Sequence, residues 1–299
     1  MSSDKFTLGI DIGGTNFRMG LVDEKGRLTA FEKRPSTDIS GECATEKLGD
    51  NIVGYLKRNA ADVAAVCIGF PATVDKARTT VLNAPNLNGF DGVAVGSLLT
   101  ERLGLPVYIE KDVNLLLTGD LAALGCTSDD VVACYIGTGI GNAIMIGGRL
   151  VAGANGVAGE LGHIPFGDST DKCGCGNAGC AEALCGGVQL ARIREEHFPK
   201  TEMSELFCSY GGHTMLEEYV ERLARVIAAE INIIDPELLL LGGGVIEMRS
   251  FPKKRLESAI LSHTRKPLPH DNLKIVYSPS GDGTSGVIGA GILAWRKSK

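Results

Sequence analysis

The sequence predicts an α/β protein built as two related halves. Apolar runs of strand length alternate with stretches of helical periodicity, and two similar apolar–glycine–apolar hairpins lie roughly one domain apart. A length of 299 residues is enough for two domains that each bury their own core.

The first hairpin begins with F-T-L-G-I-D-I at residues 6–12, turns at G-G-T-N, returns through 17–22 and turns again at D-E-K-G-R-L. Residues 131–150 repeat the plan as V-V-A-C-Y-I, G-T-G-I-G-N, A-I-M-I and G-G-R-L, which suggests duplicated halves. Between the hairpins, A-A-V-C-I-G-F-P-A is a continuous apolar strand ending in a Gly/Pro loop. P-V-Y-I-E-K-D-V-N is a second strand, ending in charged residues, and a helix should follow from Val113 to about Leu124. Over residues 216–234, Val220, Leu223, Val226, Ile227, Ile231 and Ile234 recur at helical spacing, a core stripe rather than a binding feature. Asp235-Pro236 ends that helix before the strand E-L-L-L-L and the turn G-G-G-V. K-I-V-Y-S-P-S, G-D-G-T-S-G and V-I-G-A-G-I-L-A-W read as strand, glycine loop and helix.

Composition narrows the partners. A formal charge of -6 without a basic run favours small molecules over nucleic acid. The longest uncharged apolar stretch, Val131 to Ile146, is interrupted by Gly137, Gly139 and Gly141 and reads as strand, turn and strand, not as a membrane span. M-S-S-D-K-F-T-L-G-I-D lacks a basic region followed by an apolar core, so no signal peptide is expected and the setting is cytoplasmic. The 9 cysteines are odd in number, and Cys67, Cys126, Cys134 and Cys208 are scattered through apolar segments, which points to reduced thiols.

One cluster stands apart. His163, Cys173, Cys175 and Cys180 have the spacing of a tetrahedral zinc site in a glycine-rich loop, and four protein ligands leave no open position for water. The metal is therefore expected to brace the loop. A zinc deaminase would need H-x-E and P-C-x-x-C, and neither occurs. Glu160, His163 and Glu182 surround the brace with polar groups that suit a polyhydroxylated ligand, with surface ion pairing as the plainer reading of each Glu.

No G-x-x-x-x-G-K-[ST] occurs, so a nucleotide triphosphate would need other donors. Gly281 to Gly286 matches G-x-G-x-x-G, but too few residues follow for a dinucleotide fold. The two hairpin turns are better phosphate cradles: Gly13, Gly14 and Thr15 with their flanks Ile10, Asp11, Ile12 and Asn16, and Gly137, Thr138 and Gly139 with Ile136, Ile140 and Gly141. Asp11, at a strand end, could hold a hydrated Mg²⁺. Asp112 ends a strand where open α/β sheets place ligands, and could accept the proton of a substrate hydroxyl attacking phosphorus; a helix N-cap is the alternative.

D-I-G-G-T-N-F-R, I-G-T-G-I-G, G-E-L-G-H, C-G-C-G-N-A-G-C-A-E and L-G-G-G-V, in this order over essentially the full chain, resemble the ROK (repressor, open reading frame, kinase) family of sugar kinases. The resemblance implies two ribonuclease-H-like domains of the actin and hexokinase type, with ATP and sugar in the cleft between them. It implies that His163, Cys173, Cys175 and Cys180 bind structural Zn²⁺, that Asp112 is the general base, that Asn86, Glu160, His163 and Glu182 lie near the sugar, and that Gly243 and Gly244 join the ATP site. Domains are expected at 1–117 and 118–285, with a last helix at about 286–299 returning to the first, and the family favours a homodimer. Two departures bear on the substrate: Ala72 and Lys111 stand in G-F-P-A and K-D-V-N where Gly and Asn are usual. With them the sugar motifs look most like those of a D-allose 6-kinase; glucose, mannose or fructose are alternatives. A sugar-responsive regulator of this family would carry a helix-turn-helix before the D-x-G-G-T motif, which here begins at Asp11.

Overall fold

The computed structural model describes residues 5–60, 62–167, 169–279, 281 and 283–299. Met1–Asp4, Asp168 of G-H-I-P-F-G-D and Asp282 of the glycine loop lie outside them. The chain divides into two compact units, one formed by residues up to Thr127 with Ala152–Ala158 and Pro279–Lys299, the other by Ser128–Val151 and Gly159–Ser278.

The first unit is a sheet of β1 (Phe6–Ile12), β2 (Asn16–Val22), β3 (Leu28–Pro35), β4 (Val63–Phe70) and β7 (Val107–Lys111), flanked by α1 (Ala44–Asn59), α2 (Val95–Leu103) and α3 (Asp112–Ala123). A small ribbon of β5 (Thr73–Val74) and β6 (Val81–Asn83) lies beside it. The second unit holds β8 (Val131–Ile136), β9 (Ile140–Ile146), β10 (Arg149–Leu150), α4 (Ala181–Cys185), α5 (Gly187–His197), α6 (Leu206–Tyr210), α7 (Thr214–Ile234), β11 (Leu238–Gly242), α8 (Lys253–His263) and β12 (Lys274–Tyr277). The last helix, α9 (Ser285–Ser298), belongs to the first unit.

Strand order repeats. The sheets run β3-β2-β1-β4-β7 and β10-β9-β8-β11-β12. In each, a hairpin supplies two antiparallel neighbours and the next two strands pair in parallel. The two glycine hairpins of the sequence thus occupy equivalent places. The units divide after Thr127, not at residue 117, because α3 packs against α9 and the sheet.

Alternation along β1 and β4 explains how α9 comes so close. Leu8, Ile10, Ile12, Val66, Ile68 and Phe70 point to one core with Leu48, Ile52 and Tyr55 of α1 and Leu99 of α2. The opposite face carries the smaller Thr7, Gly9, Ala65, Cys67 and Gly69, and there Leu115 of α3 packs with Ala290, Leu293 and Ala294 of α9. The Thr7 hydroxyl donates to the Gly291 carbonyl at 2.9 Å. A Cβ on Gly9 would run into the Val287 carbonyl, one on Gly119 into the Ser285 carbonyl, and one on Gly289 into the Leu115 carbonyl. Backbone lies on backbone, and the Ser285 hydroxyl adds a 2.6 Å bond to the buried Asp120.

Helix propensity alone favours Ala over Gly by about 1 kcal/mol. Gly289→Ala should nevertheless lower stability by about 1–3 kcal/mol, because its methyl needs the space of the Leu115 carbonyl. Urea unfolding measures it, and an unchanged or higher midpoint would contradict the packing described.

Candidate functional site

In the first unit, Asp11 and Asp112 meet at the carboxyl ends of parallel strands. Asp11 is level with Gly69 of β4, and Gly69 with Glu110 of β7. Asp112 follows β7 as the first residue of α3, whose N-cap is Lys111. Its Oδ1 accepts the Val113 N–H at 2.8 Å, and it is half-buried. Burial pushes its carboxyl up to about 7; the negative charge of Asp11 adds to this, while the Val113 N–H and Lys111 oppose it. Asp11 is itself raised by burial and drawn back by Arg18, whose Nη1 stands 3.3 Å from Oδ2. Gly286 at the start of α9 is needed here, since a Cβ there would lie 2.6 Å from the Asp11 carboxyl carbon.

The β1–β2 turn is held from behind. The Ser36 hydroxyl donates to the Gly13 carbonyl at 2.6 Å, and the Ser36 N–H to the Thr15 carbonyl at 2.9 Å. In a planar trans peptide the N–H points opposite to the C=O, so a bonded Gly13 carbonyl turns the Gly14 N–H to the other side. Asn86 is exposed, and its Cβ lies 3.8 Å from where a Gly14 Cβ would sit. Ala72 is partly buried against the core shared by Ile12 and Phe70.

Lys111 is buried, and its Nζ donates to the Ala158 carbonyl at 3.2 Å. Beside it Arg78 pairs with Glu110 at 3.0 Å, with both side chains under 10% exposed, 8% and 6%. Arg78 also donates to the Gly156 carbonyl at 3.1 Å. Two buried cations thus hold the 152–158 segment on the first unit. Sequence patterns do not single out Ser36, Arg78 or Glu110; Arg18 alone has a signal, since the hairpin register sets residue 18 opposite 11.

In the second unit, the ligand atoms of His163, Cys173, Cys175 and Cys180 lie within 4.8 Å of one another. Zinc with bonds of about 2.3 Å to sulfur in a tetrahedron places sulfurs about 3.8 Å apart. The Sγ atoms of Cys175 and Cys180 are 3.6 Å apart, and Cys173 Sγ is 3.5 Å from His163 Nδ1. These residues fit the ion. His163 turns its Nε2 to Glu160, 3.8 Å away, so Nδ1 is the nitrogen that would face the ion.

The β8–β9 turn, Gly137–Gly139, is also held from behind. The Gly187 N–H donates to the Gly137 carbonyl at 3.0 Å and the Val188 N–H to the Thr138 carbonyl at 2.9 Å. The same planarity turns the Thr138 and Gly139 N–H groups away from α5, and among the described residues they meet no acceptor. Glu182 closes the turn, with Oε2 accepting the Ile140 N–H at 2.9 Å and Oε1 4.0 Å from Cys173 Sγ. Gly243 packs on the turn's base, where a Cβ would lie 2.6 Å from the Ile136 N and O; Gly244 meets nothing. Ile136, Gly137, Thr138, Gly139, Ile140, Gly141, Gly243 and Glu182 therefore gather at one end of this sheet.

Comparison with known proteins fits both halves. The chain is 31% identical over 264 residues to the glucokinase of Streptomyces coelicolor, covering 80% of this chain and 82% of that one. It is 28% identical over 244 residues to the N-acetylmannosamine kinase of Salmonella arizonae, covering 80% and 83%. The structure of a ROK family glucokinase from Streptomyces griseus in complex with glucose and AMPPNP superposes with a TM-score of 0.80 at 28% identity, covering 97% of this chain and 99% of that one. The architecture is the two-domain α/β fold of the actin and hexokinase type. Residues 7–297 match the family described as ROK, and the chain belongs to the ROK family.

Proposed function

We propose that this chain is an ATP-dependent hexose kinase that transfers the terminal phosphoryl group of ATP to the 6-hydroxyl of a free sugar, with D-allose preferred. The observation that carries the chemistry is Asp112, a half-buried carboxyl whose affinity for protons matches neutral pH, at a strand end beside Asp11. In the proposed step Asp112 takes the proton of the 6-hydroxyl, the oxygen attacks the γ-phosphorus, and the bond from phosphorus to the ADP oxygen breaks. Asp11 would hold a hydrated Mg²⁺, which neutralises phosphate charge when bound. The N–H groups of Thr138 and Gly139, and that of Gly14, are the proposed phosphate donors, with Gly243 supporting the first of these turns and Gly244 lying open beside it.

The glucokinase and N-acetylmannosamine kinase relatives support the substrate class. Asn86, Glu160, His163, Glu182 and Asp112 are the proposed sugar partners. His163, Cys173, Cys175 and Cys180 would hold a structural zinc that fixes the loop around them. Lys111 acts through Ala158, holding the segment that leads to Glu160. The homodimer and the cytoplasmic setting are part of the same proposal.

Asp112→Asn should lower kcat by a factor on the order of 10²–10⁴ while sugar KM stays within a few-fold. The base works only when deprotonated, so wild-type kcat/KM should rise with pH until about 7 and then level off. Near-wild-type turnover in the variant, with the same acid limb, would reduce Asp112 to a helix-terminal residue.

D-allose and D-glucose differ only in the direction of the 3-hydroxyl. One lost buried hydrogen bond is worth about 1–3 kcal/mol, so kcat/KM for D-allose should exceed that for D-glucose roughly 5- to 150-fold. The observation behind this preference is Ala72 and Lys111 where Gly and Asn are usual. A coupled assay of ADP release with allose, glucose, mannose and fructose measures it. A tenfold advantage for any other hexose overturns the allose assignment and leaves the kinase; no ADP release with any sugar overturns both.

A further inference from the structure

The second unit joins its four-ligand cluster to its glycine turn by a continuous run of chain. Cys180, a cluster residue, immediately precedes α4, and Glu182 lies in the first turn of that helix. Glu182 Oε2 holds the Ile140 N–H, and Gly186 is at once the C-cap of α4 and the N-cap of α5. No side chain caps α5 at its N-terminus. Its first two N–H groups, from Gly187 and Val188, are instead satisfied by the carbonyls of Gly137 and Thr138. Glycine is required at 187, since a Cβ there would run into the Gly137 carbonyl, while a Cβ on Gly139 would press on the end of the Glu182 side chain. Gly162, next to the cluster residue His163, packs on the same place, with a Cβ position 3.1 Å from the Ile140 carbonyl.

We infer that the metal loop is a positioning element for the nucleotide. With the cluster filled, α4 is fixed, and Glu182 and the Gly187–Val188 pair hold the peptides of Gly137–Ile140 so that the Thr138 and Gly139 N–H groups face a phosphate. Emptying the cluster frees α4, lets those peptides rotate, and weakens triphosphate binding with no sugar present. The inference rests on the nucleotide reading above, and it assigns Glu182 and Gly187 a role on the nucleotide side of the reaction. Gly187 is a positioning residue, since it acts through the turn.

The test is the dissociation constant of a fluorescent ATP analogue with Mg²⁺, without sugar, on full-length protein. Zinc content is measured alongside by atomic absorption and secondary structure by circular dichroism. Zinc-loaded Gly187→Ala should retain its zinc and bind the analogue at least tenfold more weakly than wild type. Chelation of wild type should weaken binding to a similar degree, ZnCl₂ should restore it, and chelation of Gly187→Ala should add less than threefold. Zinc-loaded Gly187→Ala with wild-type affinity overturns the inference and leaves the kinase assignment intact. Chelated wild type with unchanged circular dichroism and unchanged affinity does the same. Loaded wild type that binds no analogue overturns both.

Discussion

The planar peptide is the constraint on which the rest of this structure depends. A glycine turn between two strands is a common object and carries no affinity by itself. What distinguishes the turns here is that their carbonyls are already bonded on the inner side, by Ser36 in the first unit and by the opening residues of α5 in the second. Rotating either peptide to bury its N–H would break a bond at about 0.5–1.5 kcal/mol net, and more if the donor were left buried and unpaired. The outward N–H groups are therefore paid for in advance, as electrostatic preorganisation requires.

Placement of the carboxylates follows from residue size on one face of a sheet. Because Gly9, Ala65, Cys67 and Gly69 leave room, α3 and α9 approach the strands closely, and their ends bring Asp112 and Gly286 to the level of Asp11. Two acids so near one another cannot both ionise cheaply. Burial is the larger cause of the raised proton affinity of Asp112, and the charge of Asp11, itself buried and drawn back only in part by Arg18, adds to it. Packing thus sets the electrostatics on which the proposed chemistry rests.

Much of this was legible in the sequence because the signals are local. The hairpins are runs of strand residues bounded by glycine, α7 is a clean helical stripe, and the four residues of the Cys/His cluster lie near one another in sequence, between 163 and 180. What was not legible depends on partners far along the chain. Lys111 reads as a residue of the sugar side until the Ala158 carbonyl arrives from the 152–158 segment, and Glu182 reads as a sugar-side or ion-pairing acid until the Ile140 N–H reaches it. β3 escapes notice because most of its residues are exposed, and α5 because its start is capped by turn carbonyls rather than by a Ser, Thr or Asp. The glycines of α9 look unfavourable by propensity, and only what they touch explains them: the Asp11 carboxyl at Gly286, the Leu115 carbonyl at Gly289 and the Val22 side chain at Gly291.

The central claim, that anchored turns present N–H groups to phosphate, is tested most directly at those protons. Amide resonances of Thr138 and Gly139 can be followed in the ¹⁵N-labelled protein as a non-hydrolysable ATP analogue with Mg²⁺ is added. The two amide protons should move downfield on saturation, more than those of neighbouring strand residues such as Ala143, as expected for new bonds to charged oxygen. Saturable nucleotide binding that leaves both resonances in place would contradict it.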